Sequence, residues 1–143
     1  MSDSDYIIET TNLSKSYGPH VALENLNLKI TKGATGLLGP NGAGKSTFLK
    51  TILGLIQATS GDGTVLGHDI RTEGAAIRSR IGYMPEYGAL NPDMEAIYQV
   101  KYSGELLGMN PIVAMSRAHE VLQYVGLGEQ RYRNIGSFST GMK

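Results

Sequence analysis

A chain of 143 residues is long enough for one modest domain. Its 41% apolar and 18% charged content suits a globular protein and excludes a disordered one. Lys+Arg and Asp+Glu each number 13, so the net charge is zero and no basic excess points to nucleic acid. Without cysteine there are no disulfides and no thiolate metal sites. The acidic start Met1-Ser2-Asp3-Ser4-Asp5 is the wrong opening for a secretory signal, and no apolar run approaches the ~18 residues of a membrane helix.

In chain order, Tyr6–Glu9 and Leu13–Tyr17 read as two short strand pieces, followed by a turn at Gly18-Pro19-His20. Leu26–Ile30 alternates apolar and polar residues, the period of a half-buried strand. Thr31-Lys32-Gly33 turns the chain into Ala34–Leu38, which reads as a short buried strand. A glycine-rich stretch follows, then Thr47–Ile56, where Phe48, Leu49, Ile52, Leu53 and Ile56 fall at helical spacing. Ser60–Gly63 closes that helical region, and Thr64–Ile70 reads as a strand with a turn. A short helix is expected near Ala75–Arg80, and a buried strand at Ile81–Met84, closed by Pro85.

After Pro85 the texture becomes helical. Asn91-Pro92-Asp93 opens a helix over Met94–Leu107, with Asn91 or Asp93 as its cap and Gly108 as its stop. Pro111 opens a second helix at the position proline favours. Ala114, Ala118, Val121, Leu122 and Val125 share one face of it, and Gly126 ends it.

The chemistry concentrates in Gly39-Pro40-Asn41-Gly42-Ala43-Gly44-Lys45-Ser46-Thr47. It fits G-x-x-x-x-G-K-[ST] between an expected strand and a helix, the context this phosphate-binding motif requires. Glycines let successive N–H groups turn inward into a nest for phosphate oxygens. Lys45 supplies a point charge for β- and γ-phosphates, the Ser46 hydroxyl can ligate Mg²⁺, and the helix start adds its dipole.

Three further segments surround this loop in a fixed order, and together they resemble the nucleotide-binding domain of ABC transporters, from about Ile7 to the last residue. Tyr17, in Ser-Tyr-Gly, looks like the aromatic that stacks on adenine; the alternative is an ordinary strand tyrosine. Gly82-Tyr83-Met84-Pro85-Glu86 looks like the Q-loop with glutamate in place of glutamine. An ionised Glu86 can ligate Mg²⁺ but cannot donate a hydrogen bond; otherwise it is a solvated loop residue. Phe138-Ser139-Thr140-Gly141-Met142 looks like a variant of the signature motif, which caps ATP held by an opposite subunit. Ser139 and Gly141 match, while Thr140 and Met142 depart from it.

The resemblance implies an α/β fold. Residues 1–86 would form a P-loop NTPase core with an N-terminal antiparallel β subdomain. Residues 87–143 would form a helical subdomain ending in the signature. The family's Walker B carboxylates, D-loop and switch histidine follow the signature and are not among these residues, so the C-terminal part of the core is missing and the sequence reads as the first portion of a longer ATPase. Asp69 lies too early to be the Walker B aspartate, and His20, His68 and His119 read as surface histidines.

The implied function is an ATP-binding and ATP-hydrolysing transporter subunit that uses ATP and Mg²⁺. It would act with a membrane permease and a second nucleotide-binding subunit, at the cytoplasmic face of the membrane and without nucleic acid. These 143 residues alone are expected to bind ATP without hydrolysing it and to be poorly soluble or partly disordered. Alternatives are a binding module without turnover and a non-transport ABC ATPase. A GTPase would carry N-K-x-D, which is absent. Lys45 and Glu86 are the candidate catalytic residues. The solute is not legible, and the leaning is toward exporter-type cassettes encoded apart from their permeases.

Overall fold

The structure, a computed structural model, describes residues 6–85 and 88–143, which divide into two compact units, the chain passing from the first to the second between Gly82 and Tyr83. The first is built on a four-stranded antiparallel sheet. Its strands are β1 (Tyr6–Tyr17), β2 (His20–Thr31), β3 (Ser60–Val65) and β4 (His68–Asp69), in the order β2-β1-β3-β4.

β1 is one strand where the sequence suggested two pieces. The alternation breaks at Asn12, whose φ of 49° marks an irregularity in the ladder. The side chain of Asn27 repairs the break. Its Oδ1 accepts from the Asn12 amide at 2.9 Å, and its Nδ2 donates to Asn12 Oδ1 at 3.2 Å. Opposite the same irregularity, β3 begins four residues earlier than expected. Gly61 adopts φ 77° there, and a β-carbon on it would overlap the Asn12 carbonyl. Ser60–Gly63 therefore belongs to the sheet because glycine allows the two backbones to meet.

One sheet face carries α1 (Lys45–Ile52), and α2 (Gly74–Arg78) follows β4. Leu13, Leu23, Phe48, Ile52, Leu53, Val65, Ile70 and Ile77 form the core of this unit. Leu13 and Ile77 are fully buried, each contributing about 1.5–3 kcal/mol by leaving water.

α1 stops at Ile52 and does not reach Ile56. Leu53 is its C-cap and Gly54 follows at φ 63°. Gly54 N–H donates to the Thr51 carbonyl and Leu55 N–H to the Lys50 carbonyl, which satisfies the last helical acceptors. The guanidinium of Arg78 adds bonds to the Leu53 and Gly54 carbonyls at 3.1 and 3.2 Å.

Two expected core strands are not strands. Ala34–Leu38 is irregular and exposed, with Leu38 95% accessible, and Ile81–Met84 is irregular too, with Met84 88% accessible. A strand of a parallel core is held by its neighbours rather than by its own preference. Among the described residues none is hydrogen-bonded to either segment as a sheet partner.

The second unit packs α3 (Ala96–Leu106) on α4 (Pro111–Tyr124), followed by three short 3₁₀ turns at Glu129–Tyr132, Ile135–Ser137 and Thr140–Met142. α4 opens at Pro111 as expected, and the structure adds its cap, with Asn110 Oδ1 accepting from the Ile112 amide at 2.9 Å. α3 differs from expectation. Its N-cap is Glu95, because Asn91 instead closes a turn by accepting from the Asp93 amide at 3.0 Å. Both helices end in left-handed glycines, Gly108 and Gly126, with the paired backbone bonds seen after α1.

Ala114, Ala118 and Leu122 are buried on α4, as their spacing predicts, while Val125 is exposed beyond the helix end. Gly104 sets a close approach of the helices: a β-carbon there would lie 3.3 Å from that of Ala114. The chain then returns beneath α3. Ile135 N–H donates to the Met94 carbonyl and Gly136 N–H to the Pro92 carbonyl, at 3.0 and 2.8 Å. Ile135 and Phe138 thereby join the core of Ala96, Ile97, Ala118 and Leu122.

Candidate functional site

The glycine loop sits between the irregular segment 34–38 and α1. Gly42 and Gly44 both adopt φ 85°, a left-handed conformation that side-chain-bearing residues rarely take. Ala43 N–H donates to the Pro40 carbonyl at 3.2 Å, closing a turn, and Phe48 N–H donates to the Gly44 carbonyl at 2.8 Å, starting the helix. The loop rests on β2: at Gly44 a β-carbon would overlap the Ala22 carbonyl and lie 2.9 Å from Leu23 Cδ2.

Lys45 folds back over its own loop. Its Nζ donates to the carbonyls of Gly39 and Pro40 at 2.6 and 2.7 Å. The ammonium is therefore held over the loop mouth by neutral acceptors, with no carboxylate competing for it among the described residues. The Ser46 residue is exposed in the first turn of α1 and Thr47 half-buried; the Thr47 carbonyl accepts from Thr51 Oγ1 at 2.8 Å. A cation, left-handed glycines and an exposed hydroxyl at a helix start form a donor set suited to phosphate and to a hard divalent cation. The loop thus fits the nucleotide and Mg²⁺ that the sequence implies.

Tyr17 ends β1 with half its surface exposed, and the Lys15 ammonium lies 5.0 Å from its ring centroid. The hairpin register brings this strand end toward the loop. Tyr17 pairs with His20, Ser16 with Val21 and Lys15 with Leu23, so Ala22 and Leu23, which buttress Gly44, lie within a few residues of Tyr17. These two supports were not legible as site residues, since only the packed structure shows which strand the loop touches.

Glu86 lies outside the described residues. Ser139 and Gly141 belong to the second unit, both exposed. Ser139 precedes the last 3₁₀ turn, and its carbonyl accepts from the amides of Met142 and Lys143 at 3.0 and 3.3 Å. The flanking Phe138 and Met142 pack into the core of the second unit, which fixes the turn while leaving Ser139 open.

Asp69 and Glu73 carry the clearest electrostatic perturbations, and neither lies at the loop. The backbone amides of Arg71 and Thr72 hold the Asp69 carboxyl below its usual range. Glu73 is lowered chiefly by its bond to His68, 2.9 Å away, and then by the Asp69 amide. Both are explained by local turn geometry at β4 and α2.

The chain matches the ABC transporter family across residues 23–143. It is 40% identical over 138 residues to the linearmycin resistance ATP-binding protein LnrL of Bacillus subtilis, a match spanning 96% of this chain and 44% of the relative. A Nod factor export ATP-binding protein I of Cupriavidus metallidurans is 33% identical over 96% of this chain and 46% of its own length. The chain thus spans less than half the length of these curated relatives. Among solved structures, cbiO1 from Clostridium perfringens, part of the ABC transporter complex cbiONQ, superposes with a TM-score of 0.75. That match has 24% identity and covers 96% of this chain and 57% of that one, which shows a shared fold. A glycine loop seated on the sheet, a strand-end tyrosine, the helical unit and the match over residues 23–143 lead to one conclusion: the chain belongs to the ABC transporter ATP-binding family.

Proposed function

We propose that this chain binds ATP with Mg²⁺ as part of the ATP-hydrolysing subunit of an ABC transporter, which powers solute movement by a partner permease. The seat of Lys45 over left-handed Gly42 and Gly44 at the start of α1 carries this reading. Residues 1–86 serve as the ATP-binding core and residues 87–143 as the helical subdomain.

In this reading Gly39–Thr47 cradles the phosphates through its amides, and Lys45 exchanges a loop carbonyl for phosphate oxygen. Ser46 and Glu86 are the residues that would ligate Mg²⁺, which would neutralise charge developing on the phosphates. Tyr17 stacks on the base. Ser139 and Gly141 offer a hydroxyl and a turn start to ATP held by a second nucleotide-binding subunit.

In this reading the 143 residues bind ATP without turnover, because none of them matches the Walker B carboxylates that the resemblance implies. Export is the favoured direction, supported by the roles of the relatives in linearmycin resistance and Nod factor export. No helix among the described residues is long and apolar enough to cross a membrane. In this reading the subunit sits at the cytoplasmic face through its permease.

Calorimetric titration with Mg-ATP tests the central claim. Saturable binding that Lys45→Ala weakens at least tenfold is the expected result. Equal affinity in the two proteins would refute it.

A further inference from the structure

β1 presents Leu13, Lys15 and Tyr17 at alternate positions. Leu13 is fully buried in the core with Leu23 and Phe48, and the β1–β2 register shifts between Leu13 and Lys15 and again between Lys15 and Ser16. At the strand end the Lys15 ammonium lies 5.0 Å from the Tyr17 ring centroid, within cation–π range.

A second lysine–tyrosine pair on the sheet sharpens the contrast. Lys29 lies 4.9 Å from the Tyr6 ring centroid but is also ion-paired to Glu9 at 3.0 Å. Lys15 has no carboxylate partner among the described residues, so the ring is its one described electrostatic contact. An ammonium held over an aromatic face is attracted by the negative face of the ring. The Tyr17 residue nonetheless remains 48% accessible.

We propose that Lys15 is a positioning residue for the nucleotide base: it occupies one face of Tyr17, fixes the ring plane, and leaves the opposite face for a purine to stack on. The inference rests on the nucleotide-binding reading above. It assigns Lys15 no contact with the phosphates. Lys15 acts through Tyr17, so its contribution exists only when both the ring and the base are present. A lysine placed merely to make the loop region positive would instead act on any polyanion.

The test is a double-mutant cycle in the 143-residue chain, with Mg-ATP and inorganic triphosphate as the two probes in calorimetry. Lys15→Met keeps the apolar stem and removes the charge. It is expected to weaken ATP binding about two- to fivefold, the value of an exposed cation–π contact, and to leave triphosphate binding unchanged. Lys15→Arg restores ATP affinity. In a Tyr17→Ala background, Lys15→Met causes no further loss.

An equal loss for triphosphate would overturn the proposal, because Lys15 would then be meeting phosphate. A loss that persists without Tyr17, or no loss at all, would overturn it as well. If wild type binds ATP in a Lys45-dependent way while Lys15→Met changes nothing, this inference alone fails. If wild type binds no ATP, the proposed function fails with it.

Discussion

The α-carbon of Gly44 is pressed against the carbonyl of Ala22, so closely that a β-carbon would overlap that oxygen. The contact seats the glycine loop on β2 and, through the hairpin register, beside the end of β1. Gly44 also holds φ 85°. Gly44→Ala therefore carries two penalties, of which the left-handed backbone alone costs about 1–2 kcal/mol. The loop is expected to shift away from Ala22 and lose ATP affinity more steeply than overall stability. Thermal unfolding and ATP titration on the same variant decide this. A variant that binds ATP like wild type would show that the close seat is dispensable.

Segment 34–38 makes a contrasting prediction. Leu38 is 95% accessible, and the segment has no sheet partner among the described residues. Its amides are expected to exchange with solvent rapidly in the 143-residue chain, while those of Leu13 and Val65 are protected. Its exposed leucines favour association, so concentration should promote aggregation. Strong protection at Leu37 and Leu38 in a monomer would contradict the observed exposure.

Acid should loosen the corner where β4 meets α2. Asp69 and Glu73 are both held below their ordinary carboxylate values in the fold. A group with a depressed folded pKa contributes stability above its unfolded value and loses it as the pH falls through the folded one. The contribution is thus full at neutral pH and fades below the ordinary carboxylate range. Asp69→Asn should flatten part of the stability decline between about pH 5 and pH 2. An unchanged acid limb in the variant would show that these turn bonds do not couple to folding.

In the second unit, Asn110 holds the first turn of α4 by accepting from the Ile112 amide. Asn110→Ala should lower stability by about 0.5–2 kcal/mol, and Asn110→Asp should retain most of it. Chemical denaturation of the three proteins measures the difference. Equal midpoints for wild type and Asn110→Ala would mean that α4 is held by its packing alone.

What the sequence by itself determined is local. The glycine loop, the start of α4 at Pro111, the helix stops at Gly108 and Gly126, and the buried stripe Ala114–Ala118–Leu122 follow from short-range rules, and the structure shows each of them. Such features depend on one residue's conformation or on helical spacing, which neighbours in sequence settle. Tertiary structure decided the rest. Whether Ala34–Leu38 and Ile81–Met84 are strands depends on partners across a sheet, and apolar runs say nothing of partners. The fusion of β1 into one strand, the entry of Ser60–Gly63 into β3 and the seat of Gly44 on Ala22 are contacts between distant segments. They arise where two backbones approach closely enough that glycine is required, and that distance is a property of the packed molecule.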